Sequence, residues 1–344
     1  MKKLVFLFAM IFAVSMAMAQ NEGTVVQNGD DNTGTLTQTG DNYADVHQLK
    51  GDDNKATVTQ NGDKNKAYAV QGMQDNYYGY ASNAMSANLN NISVSQVGND
   101  NITDVEQFGN ENKSTVKVQG SGNEAYVAQG WVYQFWGETD VTSHLKSTGG
   151  LANITQLSSD NYAAIWHYGG TNNSATISQS VGNENNAQIS QGFIYVDADY
   201  HFSTPVYNVK DNIASITQAG ASNTGKVMQL GNANKFKLTQ TGDNNKVGYS
   251  ETNGLLERRD AYFKQDGSRN TFTGTQTNGS LLINTSGQYG NDNTITLVQN
   301  AGDIAEILQD GNWNIATVRQ YGGGQDAYVG QFGSGNTATV TQQQ

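Results

Sequence analysis

Between Asn54 and Gln60 the chain alternates residue by residue. Asn54, Ala56, Val58 and Gln60 fall on one face of an extended segment, and Lys55, Thr57 and Thr59 on the other. The same split gives Asn293, Ile295, Leu297 and Gln299, and again Asn336, Ala338, Val340 and Gln342. Period two is the side-chain period of a β-strand. Each segment is therefore predicted to be a strand whose inner face carries a small and an aliphatic residue between two amides. The residues after a closing Gln, such as Asn28, Gly29, Asp30 and Asp31, are turn formers.

The pattern repeats along the chain. Gln recurs at 27, 38, 48, 60 and 71, at 96, 107, 119 and 129, and at 156, 179 and 191, with His167 in the missing place. It recurs again at 218, 229 and 240, then Glu251, and at 265, 276, 288, 299, 309, 320, 331 and 342. That makes 25 strand slots about eleven residues apart, of which only two are not Gln. Six residues before 19 of the 25 slots stands an Asn, as at Asn32, Asn54, Asn65, Asn101, Asn234, Asn293, Asn314 and Asn336. Lys113, Gly150, Arg259, Leu282, Asp303 and Gln325 are the departures. A disordered polar linker keeps no such double register. Around Gln119 the inner set shifts by one, to Asn112, Ser114, Val116 and Val118.

A strand-turn unit this short cannot bury its apolar face alone, so units must stack. The expected fold is all-β: a β-solenoid of stacked strand-turn-strand rungs, two units of about 22 residues per rung, with two sheets face to face. Each inner amide then lies beside its equivalent in the next rung, and amide ladders satisfy groups that would cost about 1–3 kcal/mol each if buried unpaired. The ladder residues singled out are Asn32, Gln38, Asn54, Gln60, Asn65, Gln71, Asn101, Gln107, Asn234, Gln240, Asn293, Gln299, Asn314, Gln320, Asn336 and Gln342.

Insertions interrupt the repeat at about 72–90, 130–150, 192–208 and 252–261, after slots 5, 9, 13 and 17. They recur every second rung at one turn edge. Three are rich in aromatics, including Trp131, Tyr133, Trp136, Tyr195 and Tyr200. Those five are candidate surface-binding residues for sugar polymers or neighbouring fibrils; the plainer role is packing over the edge.

The segment Gln27-Asn28-Gly29-Asp30-Asp31-Asn32-Thr33-Gly34-Thr35-Leu36-Thr37-Gln38 resembles the curlin repeat of curli subunits, the bacterial extracellular functional amyloid. Gln60 to Gln71, Gln229 to Gln240 and Gln331 to Gln342 resemble it equally, and the likeness runs through most of 24–342. The resemblance implies export through a dedicated outer-membrane channel, nucleated assembly at the cell surface, and roles in adhesion and biofilm matrix. Expected partners are copies of the chain itself, other curlin-type subunits, the secretion and assembly machinery, and a polysaccharide or host surface.

Composition narrows the picture. The 344 residues include no Cys and one Pro, so no disulfide staples the fold. Lys2 and Lys3, the apolar run Leu4 to Ala17, and Ala17-Met18-Ala19 form a secretory signal peptide over 1–19, leaving 20–344 as the secreted repeat region. Cleavage takes the formal charge from -12 to -14. That balance argues against a nucleic-acid partner. Few residues remain outside the first and last strands, so both end strands are expected to be uncapped templates for pairing.

No catalytic constellation emerges, and no enzyme, cofactor or metal site is expected. His47, His144, His167 and His201 have no metal-ligand spacing. Turn acids such as Asp30, Asp31, Asp52, Asp53 and Asp63 follow a period of eleven, unlike calcium-binding nonapeptide repeats. They are read as turn formers and gatekeepers against premature assembly. The leading function is a secreted structural fibre subunit assembling head to tail. The alternatives are a monomeric ice-binding solenoid, a carbohydrate-binding adhesin and a β-helix enzyme acting on polysaccharide. Outward pairs such as Thr35/Thr37 and Thr57/Thr59 favour the ice-binding reading, and Lys66/Tyr68 and Tyr162/Trp166 are expected to break its rows.

Overall fold

Alternating apolar and polar positions build two parallel sheets that face each other across a thin core. The computed structural model describes residues 21–49, 51–72, 87–132, 144–192, 209–249, 262–283 and 285–343. The expected signal peptide, residues 1–19, and most of the inserted residues lie outside these. The chain zigzags between the sheets: Glu22–Asn28 lies in the first, Thr33–Thr39 in the second, Tyr43–Leu49 in the first again and Lys55–Asn61 in the second. Every neighbour within the two large sheets is parallel, as in Gln27 beside Gln48 and Gln38 beside Gln60. The fold is a β-solenoid.

The second sheet has 12 strands and the first 14. Two levels of the first sheet are each made of two short strands end to end: Lys246–Tyr249 with Phe263–Asp266, and Leu281–Ile283 with Gly287–Tyr289. Both sheets therefore have twelve levels, giving 24 strand positions in place of the 25 slots counted in the sequence. Glu251 is no separate slot. The fourth insertion splits a strand in its middle, whereas the first three follow Gln71, Gln129 and Gln191 at one corner. Asn245 opens the split strand and Gln265 closes it. Arg259 lies outside the described residues. In the next level Ser280 opens the strand, and Leu282 lies beside Ala305 in the apolar core.

Most levels contribute a small and a larger inner residue from each sheet. Ala44 and Val46 pack with Ala56 and Val58, and this series runs to Ala316 and Val318. The largest fully buried side chains are Phe236, Phe263 and Phe272, with the Phe236 and Phe272 rings stacked at 4.7 Å. Gly274 makes room for them: a Cβ there would stand 2.7 Å from the Phe272 ring. Volume is conserved across the level by exchanging which position is large.

The turns stack as closely as the strands. Gly98 has φ +114°, and a Cβ on it would collide with the Gly120 carbonyl of the next level. Only glycine meets both demands. Residues just before the Asn, including Asp31, Asp53 and Asp100, adopt left-handed φ of 55–57°. A narrow four-stranded sheet runs up one corner, built from Ala87–Asn88, Gly109–Asn110, Ser147–Thr148 and Gly170–Thr171.

Amide ladders and open ends as the candidate assembly site

Period two aims every slot Gln inward, and the parallel register sets each above the last. Gln38, Gln60 and Gln96 follow one another with Nε2 to Oε1 distances of 2.9 and 2.8 Å. Gln71 donates to Gln107 at 3.0 Å, and Gln240, Gln276, Gln299, Gln320 and Gln342 continue one unbroken series at 2.9–3.1 Å. Donation always runs from the N-terminal level to the next. The same Nε2 also reaches across the core, as from Gln60 to Tyr43 O and from Gln240 to Thr224 O, which ties the two sheets together.

The Asn residues serve the corners. Asn32 Oδ1 accepts the Asn54 N–H at 3.0 Å, while its Nδ2 donates to Gly51 O. Asn65 and Asn101, Asn234 and Asn270, Asn293 and Asn314, and Asn314 and Asn336 are joined in the same way. Where Asp303 replaces Asn, its carboxylate accepts the N–H groups of Asn300 and Gln325. Turn acids add an outer ladder: Asp30 N donates to Asp52 Oδ1 and Asp41 N to Asp63 Oδ1. No group of three His, Asp or Glu among the described residues is placed to hold a metal.

Two breaks interrupt the Gln ladders. Val118 occupies the Gln position between Gln96 and Gln156, with Gln119 turned outward. Gln96 redirects its amide to Thr103 Oγ1 at 2.8 Å, and Gln156 Oε1 is left buried without a partner. In the first sheet His167 stands between Gln129 and Gln191. Its full burial lowers the imidazole pKa to about 3, because the charged form has no solvent. The neutral ring leaves Nε2 and the Gln191 Oε1 unpartnered. The sequence shows both substitutions; the orphaned oxygens one level further on appear only once the register is known.

The outer level at each end is open. Every residue of Glu22–Asn28 is exposed, and inner-face Val25 is 43% exposed. At the other end Thr337–Gln343 alternates exposed and half-exposed, leaving inner-face Ala338 and Val340 only partly covered. The ends are complementary. Gln27 and Gln38 use their Nε2 groups on Gln48 and Gln60, so their Oε1 atoms face outward from the stack. Gln331 and Gln342 donate only to Ile315 O and Asp326 O, with one N–H each left over.

Tyr133, Trp136, Tyr195 and Tyr200 lie outside the described residues, and Trp131 is placed by its backbone alone, in a two-residue antiparallel pair with Leu145. The threonine rows also need correction. Lys66/Tyr68 and Tyr162/Trp166 belong to the first sheet, whereas Thr35/Thr37 and Thr57/Thr59 lie on the second, so those pairs do not interrupt the rows.

A parallel solenoid closed by repeating Asn and Gln ladders defines a class of stacked-repeat protein. The family model of the curlin associated repeat matches residues 51–77, 98–130, 210–247 and 316–343. Those four stretches carry curlin associated repeats. A search of curated proteins finds no match.

Proposed function

We propose that this protein is the secreted structural subunit of a curli-like extracellular fibre, assembling head to tail for adhesion and biofilm matrix. The observation that carries this reading is the complementarity of the two ends. Placing Glu22–Asn28 and Thr33–Thr39 on the last level of another copy gives outward Gln oxygens the donors left over at Gln331 and Gln342. It also covers Val25, Leu36, Ala338 and Val340, at about 25 cal/mol per Å² of apolar surface removed from water. Open parallel edges are templates for such addition. The curlin associated repeats support self-assembly.

Purified 20–344, incubated without seeds at neutral pH, tests the reading. Thioflavin-positive fibrils with an axial repeat of about 4.7–4.8 Å are expected. A folded chain that stays monomeric for days would overturn it. The ice-binding alternative requires an uncharged lattice, and Lys117, Lys237 and Arg319 interrupt the Thr rows of the second sheet.

A further inference from the structure

The two outer faces of the solenoid are chemically sorted. The twelve strands of the second sheet contain no Asp or Glu, although the chain has 31 acids and 19 bases. Their charged residues are Lys55, Lys113, Lys117, Lys235, Lys237 and Arg319, all facing outward and none buried. None makes an ion pair among the described residues. The first sheet carries instead Glu22, Asp45, Asp104, Glu106, Glu124, Asp266, Glu306, Asp310 and Asp326 against four lysines, together with most of the strand aromatics.

The covering differs too. Outward Ala128, Ala164, Ser190 and Met228 of the first sheet are buried, and Tyr262 Oη donates to Gln188 Oε1 above it at 2.7 Å. No outward residue in the two central columns of the second sheet is buried. Those columns are mostly hydroxyls, running Thr35, Thr57, Ser93, Thr115 in one and Thr37, Thr59, Ser95, Lys117 in the other. The result is an open strip of hydroxyls studded with cations that make no ion pair among the described residues.

We propose that this face binds a linear acidic polysaccharide of the polyuronate type. Charge complementarity selects the class, since an acid-free cationic strip on a strongly acidic chain attracts polyanions and repels its own kind. Two such faces carry like charge and do not pair with each other. The cations stand at the second, fourth, eighth and eleventh levels, about 10–20 Å apart at a strand spacing of about 4.8 Å. That density fits one carboxylate per sugar better than duplex nucleic acid, with a charge about every 1.7 Å. The hydroxyl rows supply donors and acceptors for sugar hydroxyls between the charges. Tyr321 is the sole aromatic facing outward there, so ring stacking on neutral glycans has little to work with. The strip is complete in a single folded chain, so the inference does not rest on fibre assembly.

Full 20–344, immobilised as monomer or fibre and checked for strand content by circular dichroism, is exposed to alginate, to dextran of equal length and to duplex DNA. Alginate is expected to be retained and dextran not, with affinity falling at least about tenfold between low and high salt. Replacing Lys55, Lys113, Lys117, Lys235, Lys237 and Arg319 together by Gln should cost at least about another tenfold through lost multivalency. Lys66→Gln with Lys226→Gln, on the opposite face, should leave binding unchanged. Failure to retain alginate, equal retention of dextran, indifference to the six substitutions, or tighter binding of DNA would each overturn the proposal.

Discussion

Gln129 Nε2 stops 3.5 Å from His167 Nδ1, where every intact step of the same ladder is 3.0 Å or shorter. The imidazole interrupts the column because a neutral ring has one N–H and its fixed plane cannot serve both neighbours. Gln191 Oε1, one level on, inherits the deficit.

His167→Gln should therefore stabilise the fold, by about 1–2 kcal/mol, by pairing Gln129 and Gln191 through one amide. Val118→Gln should act similarly through Gln156, with a smaller gain because Gln96 is already served by Thr103. Denaturant midpoints measured at constant m-value decide the matter.

The acid response of the fold has two opposing parts. His167 is lowered to about 3 by burial, so the unfolded chain takes up a proton near pH 6.5 that the folded one refuses. Its contribution is complete above pH 6.5 and is lost as pH falls towards 3. Asp104 is raised to about 6 by burial beside Tyr68 and Tyr126, so its contribution is present below 3.8 and is lost as pH rises through 6. Relative to the parent, His167→Gln should gain stability as pH drops from 6.5 to 4. Asp104→Asn should gain as pH rises from 4 to 6.5. Melting temperatures across that range test both signs.

An interior ladder position and an end one should separate folding from assembly. Gln240→Leu strands the Gln276 Oε1 in a buried site and should destabilise the chain by about 1–3 kcal/mol. Gln342→Leu lies on the half-exposed last level, and is expected to leave the monomer's midpoint within about 0.5 kcal/mol while slowing fibre elongation. Equal effects of the two on elongation at equal stability would count against end-to-end ladder continuation.

The aromatic level offers a packing test. Phe272→Ala removes a ring wedged between Phe236 and Phe263 and should cost about 3–5 kcal/mol. Gly274→Val overpacks the same level and should cost about 1–3 kcal/mol. Fluorescence-monitored unfolding of both variants checks the order.

Much of this architecture is legible in the sequence because burial here follows polar identity. Gln at each strand end and Asn at each start mark the inner face as clearly as Val58 or Leu297, since both amides are consumed by ladders. Even Val118 betrays its inward position by alternation with Ser114 and Val116. The split strand is a different matter. Asn245 and Gln265 belong to one level, but nothing local distinguishes an insertion inside a strand from one after it, and Glu251 falls by chance at the expected spacing. The sorting of charge between faces is likewise hidden. Thr57 and Tyr68 are both outward residues of adjacent units, and only the zigzag between sheets assigns them to opposite sides.

Interruptions fall at levels three, five, seven and nine of twelve, leaving five consecutive plain levels when one chain follows another. A filament of this protein would thus carry its subunit length as a graduated scale, with clustered marks recurring about every 58 Å at a strand spacing of about 4.8 Å. A meridional reflection near that period, far below the strand repeat in angle, would let the number of chains in a fibre be counted from an image.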